Sequence, residues 1–297
     1  MQRSIRTPLP QLAVDAFIVI VLVIFGFVVI YPFINLLALS LNDGSDAARG
    51  GIYFFPRKFS LAAYEMLFQN DKLFKGLAWS ALRVAVGTVT CLFVTGLLAY
   101  IISIRSFSGR KMMRILFFVT MYFNGGLIPT YLLMVKLQLV NSFHVYWIPS
   151  LINAYFMLLM ASYISDLPEA LFESARIDGA SEFKIYRSIV IPVAMPVFAA
   201  VSIYSAVSHW NSWFDVMLYN SNGKFDTLQV YLRRLLLEVE ATEQIRDQQL
   251  VLRKFQSLSP LTLRAATTIV VTAPILLIYP FLQKYFIGGI TLGSVKG

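Results

Sequence analysis

Six long apolar runs alternate with polar segments along the chain. They cover residues 16–41, 77–104, 115–135, 143–164, 189–214 and 265–283, each near the roughly 20 residues a helix needs to cross a bilayer. The pattern predicts an all-α membrane protein with six transmembrane helices, in one membrane domain spanning residues 1–297. Several interruptions add detail. Asn42-Asp43-Gly44-Ser45-Asp46 is turn-rich. Residues 60–75 place Leu61, Tyr64 and Phe68 on one face, which predicts a helix lying along the membrane surface. Arg83 opens the second run and is expected to snorkel to the interface. Asn124-Gly125-Gly126 and Pro129 break helix regularity inside the third run, tolerated at membrane depth only where backbone is buried in protein or lines a watery path. Residues 218–262 form the longest extramembrane segment, helical near 228–239, and the sixth run carries Pro274 and Pro280.

Composition agrees with the pattern. The chain is 58% apolar and 14% charged, against roughly 25% charged for a soluble domain, and its mean hydropathy is +0.68. The first run is too long for a signal-peptide core and lacks a small-residue cleavage site, so it is expected to remain as a span. The formal charge of +9 is explained by Lys and Arg flanking spans, and nucleic acid is not an expected partner. Arg105, Arg110, Lys111 and Arg114 make the densest basic cluster, in a short loop, which marks that side as cytoplasmic. Six spans then put both termini in the cytoplasm. A gross tally of Lys and Arg does not favour the inner side, but the orientation rule concerns short loops near span ends. The single Cys91 excludes an intramolecular disulfide.

The polar segment 165–192, between the fourth and fifth runs, reads as two short helices and a turn. Asp166 is placed to cap the first helix, with Pro168 in its first turn. Gly179 can take the left-handed conformation that ends a helix, and Ser181 can cap the second. Phe183, Tyr186 and Val190 give that second helix an apolar face.

This segment resembles the EAA motif of permease subunits of bacterial ATP-binding-cassette (ABC) importers. The family pattern is E-A-A, three residues, G, nine residues, I-x-L-P. Glu173-Ser174-Ala175, Gly179-Ala180 and Ile189, Ile191, Pro192 keep that spacing, with Ser174 replacing the first Ala and Ile191 the Leu. An ordinary amphipathic loop is the alternative, and chance rarely supplies spacing and context together. The resemblance implies a type I ABC importer permease fold in which 165–192 forms a coupling helix seated on a cytoplasmic ATPase subunit. The docking residues it implies are Glu173, Ser174, Ala175, Asp178, Gly179, Ala180, Ile189 and Pro192. A C-terminal tail of the family type adds Lys296.

No phosphate-binding G-x-x-x-x-G-K-[ST] loop occurs, the two histidines are far apart, and no nucleophile–base pair suggests itself. The chain is therefore expected to be a transport subunit without catalytic residues, metal or cofactor of its own. ATP and Mg would be bound by the partner ATPase. Polar residues at span depth are costly against lipid and become candidates for a substrate path. These are Asn35, Asn124, Asn153, Tyr204, Ser208, His209 and Asn211, joined by Trp210 from the polar and aromatic run at the end of the fifth span. An interhelical hydrogen bond, averaging about 0.6 kcal/mol, is the plainer role for any one of them. The run Ser208 to Asp215 suits sugar rings and hydroxyls, and equally an aromatic belt at the end of a span.

Trp210-Asn211-Ser212-Trp213-Phe214 and Gly293-Ser294-Val295-Lys296-Gly297 resemble carbohydrate-type permeases related to the smaller permease of the maltose importer. Tyr279-Pro280-Phe281-Leu282-Gln283-Lys284-Tyr285-Phe286 resembles the polysaccharide branch of that family, which includes the permeases of alginate importers. The resemblance implies half of a heterodimeric pore in the bacterial inner membrane. A second permease, an ATPase dimer and an extracytoplasmic solute-binding protein complete it. It implies an oligosaccharide substrate, and a slight basic surplus in the outer segments favours an acidic, alginate-like one. An ABC permease for a phosphate ester or polyamine shares the docking signature. An ion-driven secondary transporter usually carries intramembrane carboxylates, whereas Asp15 and Asp215 lie only at span ends.

Overall fold

A computed structural model describes residues 9–244 and 259–293, with side chains described for 14–237 and 259–277. Among the described residues the regular structure is helical, with one isolated antiparallel bridge between Asn42 and Phe59. The chain divides into two compact units, residues 1–70 with 235–272 and residues 71–234 with 273–297.

In the first unit, α1 (Leu9–Ser40) carries exposed apolar side chains on all faces from Val14 to Ile30, the signature of a helix solvated by lipid. Pro32 lies inside it. Asn35 closes the loop that follows, donating from Nδ2 to the carbonyls of Ile52 at 2.7 Å and Tyr53 at 3.1 Å. The short α2 (Gly44–Ala47) is capped by Asp43, whose Oδ1 accepts from the Ser45 amide at 3.1 Å. The surface helix expected over 60–75 is shorter, α3 (Ala62–Phe68). Its packed side differs from the expected one. Leu67 is buried and the Tyr64 hydroxyl lies 2.8 Å from Ser40 Oγ, while Leu61 and Phe68 are exposed.

The second unit is built on α4 (Asp71–Ser103), a 33-residue helix. Three glycines let neighbours reach its backbone. An added Cβ would lie 3.2 Å from the Leu228 amide nitrogen at Gly76, 2.4 Å from His209 Nε2 at Gly87, and 2.7 Å from the Phe198 ring and Tyr186 hydroxyl at Gly96. Such close approach is how helices associate in lipid, where burial of apolar surface supplies no force between them. The expected third span is two helices, α5 (Arg110–Tyr122) and α6 (Leu127–Lys136), bent by 116°. Gly126, at φ +88°, and an Asn124 side chain accepting from its amide at 2.9 Å shape the break. The fourth run begins as 3-10 turns over 143–150 and becomes regular only in α7 (Ala154–Ser165), a 44° bend. The polar segment holds α8 (Ala170–Ile177) and α9 (Glu182–Ile185), the latter continued by a wider π turn at Tyr186–Val190 and by α10 (Ile191–Val193). An 83° bend leads into α11 (Met195–Asn211). Next come α12 (Phe214–Tyr219) and then α13 (Leu228–Gln244) and α14 (Pro260–Gly293), whose residues 235–272 are counted with the first unit.

Among the described residues three stretches are long and apolar enough to cross a membrane unbroken: Val14–Ser40, Asp71–Ser103 and Pro260–Leu277. Six spans result if each bent pair counts as one.

Arg83 does not snorkel. Its side chain is 2% exposed and forms a bidentate ion pair with Asp215, with its guanidinium carbon 4.9 Å from the Tyr146 ring centre. A guanidinium so paired and stacked satisfies most of its needs within the protein. Its Nε atom is buried without a hydrogen-bond partner.

Candidate functional site

The helix–turn–helix of 165–192 is built mainly by local rules. Asp166 does not cap α8. Its amide bonds back to the Ser162 and Tyr163 carbonyls and so completes α7, while Glu169 occupies the cap position of α8. Gly179, at φ +74°, makes the turn, its amide donating to the Arg176 carbonyl and the Ala180 amide to the Ala175 carbonyl, both at 3.0 Å. Only glycine takes that conformation without strain. Ser181 caps α9 through its Oγ, which accepts from the Lys184 amide at 3.3 Å.

The motif residues divide by face. Ala175 is buried, in a cluster with Tyr100, Met160, Ile164, Ile185, Tyr186 and Val190, and Ile189 packs half-buried against it. Glu173, Ser174, Asp178 and Gly179 are exposed, as is Pro192 at the entry to the bend. Ala180 is half-buried. Ile177, at the tip, is a large apolar side chain that is 86% exposed. Lys296 lies outside the described residues, as do the side chains of 279–286.

Polar ties hold the loop to its surroundings. Arg105 pairs with Glu169 at 2.7 Å, and Arg114 donates to Ser165 Oγ at 3.0 Å. Arg176 pairs with Glu182 at 2.8 Å, and the Tyr100 hydroxyl donates to the same carboxylate. The Arg176 hydrogen bond is the largest influence on the Glu182 carboxyl; partial burial opposes it and the Tyr100 bond adds to it, and the result lies below the usual value. A cavity of about 250 Å³ lies beneath α8, lined by Tyr100, Ser103, Arg105, Glu169, Glu173 and Arg176 among others.

The substrate-path candidates occupy separate settings. Asn124 shapes the α5–α6 break, and Asn153 caps α7 by accepting from the Phe156 amide at 3.0 Å. Tyr204 is 58% exposed on α11, and exposed Asn211 accepts from Gln229 Nε2 at 3.4 Å. His209 and Trp210 are buried, His209 against Gly87. The sequence reading missed the Arg83–Asp215–Tyr146 cluster. One arginine inside an apolar run and one aspartate at the end of another were its only signals. Among the described residues no group of three or more His, Cys, Asp or Glu side chains is placed to hold a metal ion.

Long apolar helices, bent helix pairs and a polar hairpin between them are the architecture of a polytopic membrane protein. The profile of the family described as "Binding-protein-dependent transport system inner membrane component" matches residues 92–292. The chain belongs to that family: it is a membrane-embedded permease of the ABC importer class. It is 34% identical over 279 residues to the polygalacturonan/rhamnogalacturonan transport system permease protein YtcP of Bacillus subtilis (strain 168), covering 93% of this chain and 96% of that one. Identity to protein LplC of the same organism is 33%, covering 92% and 91%. Identity to the arabinooligosaccharides transport system permease protein AraQ of Halalkalibacterium halodurans is 27%, covering 92% and 93%. In three dimensions the chain is similar to one in the crystal structure of a bacterial ABC transporter involved in the import of the acidic polysaccharide alginate. The TM-score is 0.86 at 26% identity, covering 94% of this chain and 99% of that one.

Proposed function

We propose that this chain forms half of the pore of an oligosaccharide importer and that its preferred substrate is acidic. The other half is a second permease subunit. Residues 165–192 dock on a cytoplasmic ATPase dimer, which binds ATP and Mg, and an extracytoplasmic solute-binding protein delivers the substrate. Both termini then face the cytoplasm. The observation that carries the docking reading is the split of the hairpin's residues: Ala175 and Ile189 anchor it, while Asp178 and the neighbouring Ile177 are exposed on its outer side. An exposed apolar tip on a rigid polar hairpin fits a groove on another protein. The substrate reading draws on the relatives, which transport polygalacturonan and rhamnogalacturonan, arabinooligosaccharides and, in the solved importer, an acidic polysaccharide.

The test is substrate-stimulated ATP hydrolysis by the reconstituted importer with its binding protein. Uronate and neutral oligomers of equal length are compared. Stimulation by uronates is expected, weakening with salt if basic outer surfaces attract them. Stimulation by neutral sugars alone would contradict the acidic substrate and leave the permease assignment untouched.

A further inference from the structure

Glu182 lies beyond the Gly179 turn, yet both its carboxylate oxygens are held by groups before it in the chain. Arg176, on α8, donates from Nε to Oε1 at 2.8 Å and from Nη2 to Oε2 at 3.4 Å. Tyr100, near the end of α4, donates its hydroxyl to Oε2. One carboxylate thus joins α8, α9 and the long membrane helix. The Tyr100 ring is fixed in its turn. It is buried, stacked on Tyr186 with centres 5.8 Å apart, and lies 6.3 Å from Phe172. None of Arg176, Glu182 and Tyr100 is among the residues that carry the EAA resemblance.

Apart from this clasp the two short helices are joined by the Gly179 turn, its backbone hydrogen bonds and the packing of Ala175 and Ile185 in one apolar cluster, and apolar packing is less directional than a hydrogen bond. The Arg176 and Glu182 side chains are 35% and 52% exposed, and ion pairs this exposed contribute little to stability. We infer that Glu182 makes the hairpin and α4 move as one body, so that a displacement imposed on the hairpin reaches α4 instead of being absorbed at Gly179. Tyr100, Arg176 and Glu182 are positioning residues in this scheme, acting through the hairpin. The inference rests on the reading of 165–192 as the ATPase-docking element.

The test uses the complete importer in vesicles and reads substrate taken up per ATP hydrolysed, with co-purified ATPase measured beside it. Tyr100→Phe keeps the ring stack and removes one donor, so it is the variant least prone to misfold. Glu182→Ala removes the clasp, and Glu182→Gln keeps an acceptor for Tyr100. Uptake per ATP is expected to fall about fivefold or more in Glu182→Ala, at the low end of coupling effects between sites. Tyr100→Phe should show a smaller loss, and Glu182→Gln should recover part of the wild-type ratio. Co-purified ATPase should remain at the wild-type level in all three. Wild-type uptake per ATP in both Tyr100→Phe and Glu182→Ala, with the ATPase still bound, would overturn the clasp and leave docking intact. Failure of the wild-type complex to hold an ATPase would overturn both.

Discussion

Arg83 and Asp215 lie 132 positions apart in the chain and meet as a bidentate ion pair, with the guanidinium resting on the ring of Tyr146. Asp215 Oδ1 also accepts from the Val216 amide at 2.9 Å, which fixes the carboxylate at the start of α12. Removing one partner strands a buried charge. Asp215→Ala is therefore expected to cost about 3–5 kcal/mol, whereas replacing both residues by apolar ones of similar volume costs far less. The midpoint of thermal aggregation of the detergent-solubilised protein reads this directly. Equal midpoints for the single and double variants would contradict the pairing.

The turn at Gly179 makes a sharper demand. Proline fixes φ near −65°, against +74° here, and removes the amide that bonds to the Arg176 carbonyl. Gly179→Pro should abolish ATPase co-purification while the protein inserts at normal yield. Glu173→Lys, which reverses charge on the exposed side of the same hairpin, should weaken it. Retention of the ATPase at wild-type level by both variants would refute the docking role.

Why this hairpin was legible, and Arg83 was not, follows from range. Gly179 and Ser181 act on backbone two or three positions away, so residue type and spacing describe them well. Asp166 misled the reading because α7 needs its amide to finish its last turn, a competition between two adjacent helices for one residue. Arg83 misled it because its partner is remote in sequence. An arginine near a span end resembles one that snorkels until the fold brings a carboxylate to it. Asn124-Gly125-Gly126 was recognisable as a break in the third run, but the 116° bend depends on how α5 and α6 pack. The candidate path residues were chosen for polarity alone. Polarity does not separate a helix cap such as Asn153 from a residue that meets substrate.

The clasp has a pH signature. The Glu182 carboxyl is held below its ordinary value of 4.5, first by the hydrogen bond from Arg176. A carboxyl depressed in the folded state contributes stability that is fully present above its unfolded value and lost as pH falls through its folded one. Protection of the Gly179 and Ala180 amides, which close the turn, from hydrogen exchange, corrected for intrinsic rate, should hold from neutral pH to about 4.5 and decline below. Glu182→Gln should remove that dependence. A decline that begins near neutral pH would point to another group.

The docking of 165–192 on an ATPase is tested most directly by cross-linking from its tip. Ile177→Cys places a thiol at the most exposed apolar position of the hairpin, and the native Cys91 is buried. Val23→Cys, exposed on α1, serves as the control. A short bifunctional thiol reagent applied to the assembled importer in inside-out vesicles should join residue 177, and not residue 23, to the ATPase subunit. ATP should alter the yield. Absence of a cross-link from residue 177 while the ATPase remains in the complex would contradict the account.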